Sequence, residues 1–109
     1  MDKTINELTK EVINIYSKYE KTGTKKWDYE IASKDLSYQV GSLMKRIMQL
    51  KNERYGEGLS ETQIKEKIGD ELVDILAEVL FISSELHINL EDAFNRMIDS
   101  DKNKINSRV

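Results

Sequence analysis

From Ser60 to Leu86 the chain runs without Pro and, after Gly69, without Gly, and the rest must be arranged around whatever this stretch becomes. Ser60 and Gln63 have capping-box spacing: the Ser side chain takes an amide of the first turn and the Gln reaches back, so a helix starts here. Ile64, Ile68, Leu72, Ile75, Val79, Ile82 and Leu86 recur at the three- and four-residue intervals that put apolar groups on one helix face. Val73, Leu76, Leu80 and Phe81 add apolar surface elsewhere on the same helix. A helix apolar nearly all round is expected to be buried, inside its own chain or against a partner.

Acidic side chains interrupt this pattern. Glu71, Asp74 and Glu78 fall close together along the edge of the apolar stripe. Buried carboxylates must be protonated, paired with Arg or Lys, or bound to a cation, because unpaired burial costs several kcal/mol each. A hard divalent ion such as Mg²⁺ suits oxygen ligands of this kind. The alternative is that the three acids sit at a rim and are solvated.

The remaining helices follow from similar signals. Thr4 and Glu7 form a second capping-box pattern ahead of Ile5, Leu8, Val12, Ile15 and Tyr19, which predicts a helix over about 4–20. Asp28 caps a second, over about 28–54, with a stripe of Ala32, Leu36, Val40, Leu43, Ile47 and Leu50, ended by Tyr55-Gly56-Glu57-Gly58. Asn89 caps a last helix, over about 90–106, expected to bury Leu90, Phe94, Met97 and Ile98. The expected fold is all-α: a single domain over 1–109, a bundle of four antiparallel helices.

The second and third helices are built alike. With Leu36 laid on Ile68, Leu43 on Ile75 and Ile47 on Val79, Gln39, Ser42 and Arg46 take the places of Glu71, Asp74 and Glu78. Packed antiparallel, the two polar edges face across a groove, where Arg46 is placed to pair with an acid. Trp27 follows the basic loop Lys21–Lys26 and has two readings: it anchors the loop on the core, or it stacks on a nucleobase while Lys25 or Lys26 meets phosphate. His87, the only His, reads as a turn residue. Lys102, Asn106 and Arg108 offer donors suited to phosphate, or are merely solvated.

Composition excludes several classes. There is no Cys, so no disulfide and no thiol chemistry. Seventeen Lys and Arg against 20 Asp and Glu give a net charge of -3, which leaves no general field for nucleic acid. The start lacks the charged-then-apolar pattern of a signal peptide, and no apolar run approaches a membrane span, so a cytoplasmic location and no membrane partner are expected. Val73, Leu76, Leu80 and Phe81 outnumber what three short neighbours can cover, so a homodimer or homotetramer is expected.

The run Gly69-Asp70-Glu71-Leu72-Val73-Asp74-Ile75-Leu76, followed by His87-Ile88-Asn89-Leu90-Glu91-Asp92-Ala93-Phe94 and the basic, Asn-containing end, resembles the MazG-like, all-α nucleoside triphosphate pyrophosphohydrolase superfamily. The resemblance covers roughly Trp27 to Arg108 and assigns Glu71 and Asp74 to that family's E-x-x-D helix. It implies Mg²⁺, with Mn²⁺ as a substitute, held by Glu71, Asp74 and Glu78, with Glu71 and Asp74 catalytic. The substrate implied is a nucleoside triphosphate, split to pyrophosphate and a monophosphate, and bound by Trp27, Gln39, Ser42, Arg46, Lys102, Asn106 and Arg108. The family's earlier E-x-x-E motif stands here as Gln39-Val40-Gly41-Ser42-Leu43, with the framework kept and both acids gone. Fewer carboxylates bind Mg²⁺ less strongly, so the second reading is a MazG-like protein without hydrolysis, a nucleotide-binding or oligomeric interaction module.

Overall fold

The computed structural model describes residues 2–108; Met1 and Val109, the outermost residues of the opening segment and of the basic tail, lie outside it. Among the described residues the fold is all-helical, with α1 Ile5–Lys21, α2 Tyr29–Leu50, α3 Glu61–Glu85 and α4 Leu90–Ser107. Each helix starts at a side-chain cap. Thr4 and Ser60 close full capping boxes with Glu7 and Gln63, Asp28 accepts from the Ile31 amide, and Asn89 accepts from the Asp92 amide. These bonds satisfy amides that a helix start would otherwise leave without partners.

The first three helices end alike. After each, one residue turns left-handed, and its own amide and the next reach back over the last turn: Gly23 after α1, Asn52 after α2 and His87 after α3. At His87 the bonds run from its own amide to the Ser84 carbonyl at 3.1 Å and from the Ile88 amide to the Ser83 carbonyl at 2.8 Å. The end of α2 corrects the expected boundary. Asn52, at φ 57°, stops the helix at Leu50, before the Gly-containing segment is reached. Asn is the residue besides Gly that best tolerates this conformation.

Helix α3 is the common element, packing most extensively along α2 and also along α1, while α4 packs on α1. At the start of α4, Glu91 accepts from the amide and side chain of Asn6, tying α4 to the first turn of α1. The core is small: Ala32 from α2 with Ile64, Leu80 and Phe81 from α3. The radius of gyration is 17.3 Å, against about 13 Å for a compact domain of this length.

Within the single chain, that openness leaves part of the expected burial unmet. Leu80 and Phe81 are covered, but Leu72, Val73 and Leu76 face out, Val73 being 64% exposed. On α4 Leu90 and Ile98 are half-buried, while Phe94 and Met97 are about half exposed rather than core. No helix among the described residues is long and apolar enough to cross a membrane.

Candidate functional site

The acids of α3 meet α2 at two points. The Ser42 hydroxyl donates to Glu71 Oε1 at 2.9 Å. Two turns earlier on α2 and two turns later on α3, the same antiparallel register sets Asp35 across from Glu78, near enough for Asp35 to act on the Glu78 carboxyl. Glu78 is 3% exposed, and neither of its oxygens finds a donor. Two carboxylates offer each other only lone pairs, so this contact requires a proton or a cation between them.

The electrostatics record the crowding. Burial, then the hydrogen bond and charge of Asp35, then Asp74, push the Glu78 carboxyl up to about 8. Asp74, on the exposed side of the cluster, is raised by burial and by Glu71, Asp70 and Asp35. Tyr16 of α1 closes the third side. Its ring packs 4.6 Å from that of Phe81, and burial together with Glu78, Asp35 and Asp74 pushes its hydroxyl up to about 12. The phenol therefore stays protonated at neutral pH.

Tyr16 also faces a cavity. Trp27 meets it edge-on, with ring centroids 6.2 Å apart at 88°, and both rings, with Tyr19, Glu20, Thr24 and Lys25, line a cavity of about 230 Å³. Trp27 thus anchors its loop on α1 and also presents aromatic surface to open space. Aromatic walls with a Lys in the lining have the chemistry of a stacking site for a flat ring bearing an anionic group.

The other expected residues are dispersed. Gln39 is half-buried and directs its amide nitrogen to Asp35 at 3.5 Å within its own helix. Arg46 does not reach the acids. Its Nη1 donates to Gln49 Oε1 at 3.1 Å and lies 3.4 Å from Glu57, which Lys45 also meets at 3.2 Å. Gln49, 2% exposed, in turn donates to the Tyr55 carbonyl at 3.0 Å, so Arg46 belongs to the brace that holds the α2–α3 connection. The pairing of Arg46 with an α3 acid is therefore corrected: the connection folds back and supplies Glu57 first. Lys102, Asn106 and Arg108 are exposed on the last turns of α4 and make no hydrogen bond or ion pair with the acids.

Two residues at the site carry no motif signal, Asp35 and Tyr16. Helical spacing is the one cue for Asp35, which stands one turn before Gln39 on the same face. Among the described residues no three His, Cys, Asp or Glu side chains converge closely enough to hold a metal by themselves. Mg²⁺ commonly takes only one or two carboxylates and completes its shell with water and phosphate. The orphaned oxygens of Glu78 opposite Asp35 fit that requirement. Comparison with known protein families, curated proteins and solved structures gives no match for this chain.

Proposed function

We propose that the chain is a cytoplasmic, MazG-like nucleoside triphosphate pyrophosphohydrolase that works with Mg²⁺ or Mn²⁺. The observation that carries this reading is Glu78, buried with both oxygens unpartnered against Asp35, one aromatic ring away from a cavity of nucleobase size. A divalent ion bound there supplies charge neutralisation for a polyphosphate and polarises water. The chain's residues do the rest. Glu71 and Asp74 orient water at the exposed side of the cluster, Trp27 and Tyr19 hold the base, and Lys25 meets negative charge from the cavity lining. Lys102, Asn106 and Arg108 contribute if α4 of a neighbouring copy brings them over the site.

The two contacts between α2 and α3 support an antiparallel pair, since the earlier residue on α2 meets the later one on α3. Exposed Leu72, Val73 and Leu76 and the open shape support a homodimer or homotetramer. A second reading, nucleotide binding without turnover, is favoured by Ser42. Its hydroxyl supplies Glu71 with a hydrogen bond from within the chain.

A screen for pyrophosphate release over ribo- and deoxyribonucleoside triphosphates, with Mg²⁺ and with Mn²⁺, tests the proposal. The expected result is release of pyrophosphate and a monophosphate, lost in Asp74→Ala. Thermal stabilisation by a nucleotide without release selects the second reading. Neither release nor stabilisation overturns both.

A further inference from the structure

We propose that Asp35 is the α2 ligand of the cation site, which therefore sits one turn further along the α2–α3 groove than Gln39 and two turns further than Ser42, between Asp35 and Glu78 with Asp74 at its rim. The inference rests on the cation-dependent reading above and assigns it a residue that the E-x-x-D pattern does not contain. Three observations carry it. Ser42 donates to Glu71, so the end of the groove nearer α3's start already has its hydrogen bond. Gln39 turns its amide nitrogen toward Asp35 and so offers a donor where a metal needs an acceptor. Glu78, 3% exposed and without a donor on either oxygen, is aimed at Asp35.

The chemistry is that of a hard divalent ion. Two carboxylates at this spacing repel when both are ionised, and a cation between them turns that repulsion into attraction. Tyr16 and Phe81 on the closed side limit access to water, which leaves the Asp74 side for solvent ligands and phosphate.

Mn²⁺ binding to the metal-free full chain, read by isothermal titration calorimetry and by the shift in melting temperature, tests the assignment. Wild type is expected to bind, Asp35→Asn to lose about tenfold or more in affinity, and Asp99→Asn, which removes an exposed acid on α4, to change less than about twofold. Asp35→Asn keeps shape and removes a repulsive charge, so its metal-free melting temperature is expected to equal or exceed wild type. Should it fail to fold, Asp35→Glu provides the second reading: it keeps the carboxylate and is expected to retain Mn²⁺ binding. If Asp35→Asn binds Mn²⁺ like wild type while Asp74→Asn does not, the assignment of Asp35 falls and the cation reading stands. If wild type binds no Mn²⁺ at millimolar concentration, both fall.

Discussion

Ser42 Oγ donates to Glu71 Oε1 across the α2–α3 interface at 2.9 Å. Glu71 thereby has a donor of its own, and the buried acid left without one is Glu78, two turns along the groove. Ser42→Ala is expected to destabilise the fold by about 1.5 kcal/mol, the size of a hydrogen bond to a charged group, measured by urea unfolding. Ser42→Glu is expected to lower metal-free stability further by setting two carboxylates face to face, and to enlarge the stabilisation by Mn²⁺.

Stability should depend on pH in a direction set by Glu78. Its folded-state value is raised from 4.5 to about 8, so between these limits the folded chain holds a proton that the unfolded chain has released. Its contribution is full below the unfolded value and is lost as pH rises through the folded one. The melting temperature of the metal-free protein is expected to fall from roughly pH 5 to roughly pH 9, and Glu78→Gln to flatten that fall. A flat profile in wild type would contradict the placement of Glu78.

The brace at the α2–α3 connection is separable from the acids. Gln49→Ala removes the buried amide that serves both the Tyr55 carbonyl and Arg46. It is expected to cost about 2 kcal/mol, because a part-buried carbonyl and a guanidinium are left short of partners. Its Mn²⁺ response should match wild type, checked by the same thermal shift.

At His87 the backbone needs a left-handed conformation, φ 56°, that a side chain disfavours. His87→Gly should raise stability by about 1 kcal/mol in chemical denaturation. No change in nucleotide or metal binding should accompany it.

Assembly gives the last prediction. Leu76→Glu places a charge among Leu72, Val73 and the half-exposed end of the α3 stripe, and is expected to shift sedimentation toward the monomer. A wild-type monomer at micromolar concentration would remove the oligomer from the proposal.

The helix starts were legible because a cap is a local event: Thr4, Asp28, Ser60 and Asn89 each bond an amide three residues away. The end of α2 was not, since two Gly after Tyr55 give a louder signal than the single Asn52 that stops the helix. Arg46 was misplaced for a similar reason. Its helical register points it toward the acids, but its partner Glu57 comes from a connection whose path no periodicity encodes. Asp35 went unread because its meaning depends on Glu78, a residue far along the chain that only the packing of α2 on α3 brings opposite. The apolar stripe predicted which residues want cover, and it could not say that Leu72 and Phe94 go without it inside one chain.

Because the guanidinium of Arg46 is committed to the connection, it leaves the acids of the groove unneutralised. Under the proposed function, a triphosphate approaching from the Asp74 side meets like sign unless an ion comes first or travels with it, so a chelator is expected to abolish nucleotide binding.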